Sequence, residues 1–532
     1  MTSAPERPAL GTGWRAAAWV LLALLTAALP LNAQEPVLEP RPAHEPVRAQ
    51  DPIRASLPPS EPLRLTLAES LELALRNNLA LQAAAISPEI ETQRILVQQG
   101  AFDPLFDFNG SRQDAETPTG SQIEAGKEIR YGFDSGIRER FWTGTSFEVR
   151  YLQNRLTTNQ FFATLNPVYT NLVSFTLAQP VLRGGWAPYN LNLIRQARLV
   201  RKASVLTYDS SVRDTLLLVE QLYWDLVFAI QDLEVKRGSV KLGEELRDIN
   251  RRRLEVGVGT QLEITEAESN IATRQAAVTV AENVMNNLKD RLRRLILPDD
   301  APELWRRDLI PSETAAEQAP PVPEFPEAYK TALANRPEYR RSEVSLKALE
   351  LEVDRLKNLR LPQLDLVSSW QLNALSDSRG DNASQLWNHF RSGGDEFRTW
   401  EAGLSFSIPI GNRSAHGLWL AQVLTVRQAR VLQRDLALQI GLEVAEALRL
   451  ISDSAKAIEE SRRARELTEE QLRAEQARYE SGLSTNYQVL EVQDDLAQRR
   501  SAEKRAVSSL AIAVARFERA VGRVPDLTRP RS

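Results

Sequence analysis

Chemistry needs reactive side chains that converge, and this chain offers few. There is no cysteine among its 532 residues. That excludes disulfides, thiolate metal sites, thiol nucleophiles and lipid attachment through an N-terminal cysteine. The three histidines, His44, His389 and His416, stand far apart in loop-like or linker contexts. No metal, cofactor or catalytic set is predicted from them, and no enzymatic activity, because site chemistry needs several convergent groups. What remains is a pattern of carboxylates and amides around two turns. The first turn reads Arg251-Arg-Arg-Leu-Glu-Val-Gly257-Val-Gly-Thr260-Gln-Leu-Glu263-Ile-Thr-Glu266. The second reads Arg478-Tyr-Glu-Ser-Gly482-Leu-Ser-Thr485-Asn-Tyr-Gln488-Val-Leu-Glu491. Groups so placed hold backbone donors and set a local electric field.

The two stretches align without a gap, which marks an internal repeat. In each, a glycine closes an incoming helix, where left-handed backbone carries no Cβ clash. A threonine three residues later opens the next helix. Thr260 with Glu263, and Thr485 with Gln488, have the spacing of a capping box, in which threonine and acid or amide satisfy each other's backbone donors. The turns are therefore predicted as the tips of two helical hairpins.

The helices feeding these tips are legible by period. Leu216, Val219, Tyr223, Leu226, Ile230 and Leu233 recur at alternating spacings of three and four. That period, about 3.5 residues, implies left-handed coiled-coil packing. A helix of roughly 65 residues spans about 100 Å. Between helices lie alternating apolar and polar stretches, such as Leu105-Phe-Asp-Phe-Asn-Gly and Leu172-Val-Ser-Phe-Thr-Leu-Ala-Gln-Pro180. Each is a weak strand signal, and together they carry the outer-membrane strand signature. Pro104, Pro180, Pro362 and Pro409 stand at the four predicted helix-strand junctions, each removing a donor where one hydrogen-bond pattern gives way to another. Trp142, Trp370, Trp387 and Trp400 fall in the strand-loop zone, either as an interfacial girdle or as core and loop packing.

The domain reading follows. Residues 1–33 form a signal peptide, with Arg7 and Arg15, an apolar run too short to span, and a small residue at Ala33. Residues 34–62 are a disordered proline-rich leader. The first repeat, 63–297, holds a helix, strands within 105–180, a long helix 188–255, the tip and a helix 262–295. A linker follows at 298–322. The second repeat, 323–522, holds a helix, strands within 363–410, a long helix 415–480, the tip and a helix 487–521. Residues 523–532 are a tail. The net charge of −4 suggests no nucleic-acid partner.

The predicted fold class is thus a mixed α and β membrane protein. Four main strands per chain cannot close a barrel, which needs about eight, and an open edge is not viable in lipid. Three chains with about twelve strands are the simplest closure. The stretch 105–180 is longer than a plain hairpin needs and leaves room for one more. The helices would then close into a coiled-coil α-helical barrel continuous with the β-barrel.

The duplicated helix-strand-helix plan, the strand-final Gln179-Pro180 and the paired Arg-x-x-x-Gly tips resemble the TolC-like outer membrane efflux proteins over about Leu65 to Val521. The resemblance implies a homotrimer in outer membrane lipid with a large periplasmic portion. It implies a channel-tunnel serving as passive export duct in a tripartite efflux or type I secretion system. A periplasmic adaptor protein would dock near the tips, with an inner-membrane pump or ABC transporter behind it. The cargo, whether drug, metal or protein, stays open. The competing reading is a periplasmic coiled-coil scaffold without a channel, and the proline-bounded alternating segments argue against it.

In that family, acidic residues near the second tip form rings at the periplasmic entrance. Glu266 and Glu491 occupy matching positions and are the candidates here, with Glu263 and Gln488 as secondary ones. A ring of like charges would favour cations. The alternative is a solvated helix face or favourable placement near a helix N-terminus. For Glu263 and Gln488 the capping role takes precedence, and the neutral Gln488 departs from the family's acidic position. Val256, Gly257, Val258, Gly259 and Thr260, with Ser481, Gly482, Leu483, Ser484 and Thr485, are the candidate adaptor-docking tips, or plain interhelical turns. Apolar Val258 and Leu483 at a loop apex favour docking.

Overall fold

A computed structural model describes residues 62–524, apart from residue 122, residues 299–301 and several residues within 380–396. The predicted signal peptide, nearly all of the leader, His44, Trp387, His389 and most of the tail lie outside the described residues. In chain order come β1 (Leu63–Leu65), α1 (Leu67–Asn77), α2 (Leu79–Gln99), β2 (Leu105–Glu116), β3 (Lys127–Arg140), β4 (Ser146–Thr158), β5 (Val168–Pro180), α3 (Ala187–Asn190), α4 (Asn192–Glu255) and α5 (Gln261–Ile296). Then follow β6 (Leu309–Pro311), α6 (Phe325–Asn335), α7 (Pro337–Leu359), β7 (Gln363–Ser376), β8 (Arg398–Ser407), α8 (Arg413–Glu480) and α9 (Asn486–Ala520). These elements make two units. Among the described residues, one takes 91–200 and 346–428, and the other takes 62–90, 201–345 and 429–524.

The first unit is built on one antiparallel sheet in the order β2-β3-β4-β5-β7-β8. Here the expectation of four main strands is corrected to six. The stretch 105–180 holds four strands rather than two, because it turns three times. One turn is tight: Gly144 takes φ +88°, its N–H donates to the Phe141 carbonyl at 2.8 Å, and the Phe141 N–H donates to the Thr145 carbonyl at 2.8 Å. At Gly144 a Cβ would meet the Gly184 carbonyl at 2.7 Å, so the position requires glycine.

Register sorts the sheet's side chains into two chemically distinct faces. On one lie Phe106, Phe108, Phe133, Ile137, Val149, Phe175, Trp370, Trp400, Leu404 and Phe406. On the other lie Asp107, Asn109, Gln113, Asp134, Arg150, Ser174 and Gln371. Trp370 and Trp400 are register partners on the apolar face, on the last two strands of the sheet, whereas Trp142 sits in the β3–β4 turn. All of β8 is exposed, and β2 and β8 have unpaired outer edges. Pro104 and Pro362 immediately precede β2 and β7. Pro180 ends β5, and Pro409 follows β8. β2, β4 and β7 run away from the helices and the others return, so the loops 117–126, 159–167 and 377–397 all lie at the end opposite the helix junctions.

The second unit is helical. The predicted coiled-coil stripe faces inward: Leu216, Val219, Tyr223, Leu226 and Leu233 are buried, with Ile230 partly so. Tyr223 donates its hydroxyl to the Leu65 carbonyl at 3.1 Å and accepts from the Glu313 N–H at 3.2 Å. Burial raises this phenol to about 12, so it stays protonated. Leu65, expected to begin a helix, instead belongs to β1, which pairs in parallel with β6 from the expected linker. The single helix expected before the strands of the first repeat also breaks, at Asn78, whose N–H donates to the Ala74 carbonyl. Arg336, before Pro337, makes the same break with its N–H to the Ala332 carbonyl. The two breaks sit in similar stretches, Ala74-Leu-Arg-Asn-Asn and Ala332-Leu-Ala-Asn-Arg. No helix among the described residues is long and apolar enough to cross a membrane.

Candidate functional site: the helical tips and the polar sheet face

Both tips close in the same way. At the first, Val258 N–H donates to Arg253 O at 2.9 Å and Gly257 N–H to Leu254 O at 3.0 Å. At the second, Leu483 N–H donates to Arg478 O at 2.8 Å and Gly482 N–H to Tyr479 O at 3.0 Å. This crossed pair is a Schellman motif, and its left-handed residue is Gly257 (φ +81°) or Gly482 (φ +77°). Gly259 is required for another reason: a Cβ there would meet the Leu254 nitrogen at 2.9 Å. The next helices open on complete capping boxes, Thr260 with Glu263 and Thr485 with Gln488. Glu263 and Gln488 are therefore committed to the backbone. Ser484 adds a hydroxyl donated to Gln488 Oε1 at 2.8 Å. Val256, Val258 and Leu483 project at the apices, the last two 65% and 72% exposed.

Behind the apices lies a buried polar chain that periodicity does not reveal. Asn250, Tyr479 and Asn486 are 0%, 2% and 2% exposed. Tyr479 donates its hydroxyl to Asn250 Oδ1 at 2.7 Å, and Asn250 Nδ2 donates to Asn486 Oδ1 at 2.8 Å. Asn486 Nδ2 donates to Glu266 Oε2 at 3.0 Å. Arg253 covers the Tyr479 ring at 4.5 Å and donates to its carbonyl at 3.0 Å. Burial, then the Glu263 charge, pushes the Tyr479 phenol up, so it remains a donor. The available signal was Asn250, an amide on a core-facing turn of a long helix, where an amide without a partner would be costly.

Glu266 and Glu491 line one open trough of about 930 Å³ together with Asp494, Asp495 and Asn270. Their situations differ. Glu266 accepts from buried Asn486 and so anchors the polar chain. Asp494 is matched by buried Arg274 at 2.8 Å, and Asp495 by Arg499 at 3.1 Å. Burial lowers Arg274 while the Asp494 carboxylate opposes that shift. Glu491 is exposed and has no ion-pair or hydrogen-bond partner among the described residues. The trough therefore keeps an excess of negative charge on Glu266, bonded only to a neutral amide, and on Glu491. Among the described residues there is no cluster of three metal-ligating side chains.

The polar sheet face carries a second charged cluster, also missed. Arg150 reaches Asp107 at 3.3 Å, Asp134 at 2.7 Å and Glu148 at 2.8 Å, and Glu148 also meets Arg138 at 3.1 Å. These residues lie on β2, β3 and β4, so only the pairing of those three strands brings them together.

The sequence matches the profile of the family described as Outer membrane efflux protein over residues 70–296 and 328–523. The chain belongs to that family. The outer membrane efflux protein matches no curated protein. Its fold is similar to that of the Campylobacter jejuni CmeC outer membrane channel, at 18% identity, covering 86% of this chain and 85% of that one, with a TM-score of 0.61. It is also similar to CusC, at 15% identity, 87% and 94% coverage and a TM-score of 0.64. The open state of the Neisseria gonorrhoeae MtrE outer membrane channel gives 16%, 86% and 89%, and 0.60. An efflux channel role follows from the family, and a mixed α and β fold from the neighbours.

Proposed function

We propose that this outer membrane efflux protein is the passive duct of a tripartite efflux or type I secretion system, and that it acts as a homotrimer. The observation that carries the reading is the six-stranded sheet with one apolar face, one polar face and two open edges. An apolar face suits lipid and a polar face suits a water-filled lumen. β2 runs away from the helices and β8 runs back, so the β2 edge of one copy would pair antiparallel with the β8 edge of the next. Three copies then close a barrel of about eighteen strands, within the range of bacterial outer-membrane barrels. The α-helical hairpins would project into the periplasm. The exposed apices at Val258 and Leu483 would meet a periplasmic adaptor, which links the duct to an inner-membrane pump or ABC transporter. Glu491, three times over, would set a negative field at the periplasmic mouth, with Glu266 holding the tips together behind it.

Light scattering of the purified protein in detergent tests the assembly. A particle of three chains supports the reading; a monomer at all working concentrations contradicts it. Because the chain has no cysteine, a single cysteine scanned along β2 against one along β8 adds an edge-specific check. Cross-linked ladders should stop at three.

A further inference from the structure

On the apolar face, at the end of the sheet away from the helices, four residues on successive strands are direct register partners. Arg112 faces Tyr131, Tyr131 faces Arg155, and Arg155 faces Tyr169. The order is cation, ring, cation, ring. The Arg112 guanidinium lies 5.5 Å from the Tyr131 ring centre, and Arg155 lies 5.6 Å from Tyr131 and 5.8 Å from Tyr169. Arg112 has one carboxylate nearby, Asp114 at 3.5 Å. Arg155 has none among the described residues, and its buried Nε has no hydrogen-bond partner. One row closer to the helices on the same face is Asn171. It is 2% exposed, and its amide nitrogen and oxygen are both without partners. A face otherwise built for hydrocarbon thus ends in a row with net positive charge and unused hydrogen-bonding capacity.

We infer that this ladder is a binding surface for the phosphate groups of an anionic glycolipid in the outer leaflet. The inference rests on the outer-membrane reading above, which puts the loop end outside. Its height fits. From Phe147 to Arg155 the chain rises roughly 26 Å at about 3.3 Å per residue, which after strand tilt covers most of the roughly 25 Å apolar band of such barrels. The ladder therefore lies where hydrocarbon gives way to headgroups. Phosphate fits the chemistry. Guanidinium forks pair with phosphate oxygens through two parallel N–H donors. A cation stacked on a ring is held with its donors turned outward. Tyrosine favours the interfacial level. A zwitterionic headgroup would bring its own cation beside Arg155, so a headgroup with unshielded phosphates fits better.

The test uses the purified full-length protein in phospholipid bilayers doped with a bisphosphorylated glycolipid of the lipid A type, or with the same lipid dephosphorylated. Glycolipid retained through detergent exchange is read by native mass spectrometry. The wild-type protein should retain the phosphorylated lipid at least tenfold over the dephosphorylated one, and millimolar inorganic phosphate should not displace it. Arg112→Gln with Arg155→Gln should remove that preference. Arg130→Gln, on the polar face, should leave it intact. Equal retention of both lipids by the wild type overturns the inference without any variant, as does unchanged preference in the double variant. A wild-type protein that forms channels yet shows no preference sinks this inference alone; one that forms no channel contradicts the duct reading and takes the inference with it.

Discussion

The Tyr479 hydroxyl donates to Asn250 Oδ1 at 2.7 Å, joining the residues before the second tip to the long helix that enters the first. One buried hydrogen bond thus ties the two hairpins together just behind their apices. Through Asn486 the tie ends on Glu266, a wall of the acidic trough. Stability of the tips and charge in the trough are therefore coupled.

Tyr479→Phe keeps the ring and the stacked Arg253 but leaves Asn250 Oδ1 without its donor. An unsatisfied buried acceptor costs about 1–3 kcal/mol. Chemical denaturation should show a loss in that range. Single-channel recordings should show more frequent or longer openings, because the two hairpins are less firmly held. A variant as stable as the wild type would remove the bond from the account.

Glu491→Gln should lower the cation-over-anion permeability ratio with little change in melting temperature, since the carboxylate anchors nothing. Glu266→Leu should lower selectivity and also destabilise, by about 1–3 kcal/mol, because Asn486 loses the nearer of its two acceptors, the other being the Glu263 carbonyl at 3.4 Å. Reversal potentials in asymmetric salt, set beside melting curves, separate the two. Unchanged selectivity in Glu491→Gln would count against a charged mouth.

Arg150→Ala leaves Asp107 and Asp134 uncompensated on the polar face, while Glu148 keeps Arg138. If that face lines the lumen, the variant should be more cation-selective than the wild type in the same reversal-potential measurement. If it faces lipid, two unpaired carboxylates should instead prevent insertion.

Glu338 sets a pH window. Burial would raise its carboxyl, but the Arg519 guanidinium, its own backbone N–H and Arg336 outweigh burial and bring it to about 2 from the usual 4.5. A depressed folded value means stability is fully present above about pH 4.5 and is lost as pH falls toward 2. The melting-temperature gap between wild type and Glu338→Gln should be constant above about pH 5 and narrow steadily below 4.5. A gap that does not change with acid would contradict the assignment.

What the sequence disclosed, and what it hid, divides along the range of the signal. Local chemistry was legible. Thr260 with Glu263 and Thr485 with Gln488 name their own capping boxes, and a glycine three residues before each threonine names the turn. The stripe from Leu216 to Leu233 needs only a period. The additional hairpin was harder: β2, β3, β4 and β5 each alternate, but with charges such as Arg138 and Glu148 on the polar face and glycines within β3, no one segment stands out. β1 and β6 are three residues each, too short for any pattern. Asn250, Tyr479 and Asn486 were invisible as a group because their spacing in sequence reflects nothing but the fold. The same holds for the Arg112–Tyr131–Arg155–Tyr169 row, which exists only once four strands are in register.

This chain is proposed to assemble into a conducting duct. Planar-bilayer recording of the purified protein tests it most directly. Discrete conductance steps are expected, each from one trimer, with a modest preference for cations that falls in Glu491→Gln. A protein that enters the bilayer and never produces a step would contradict it.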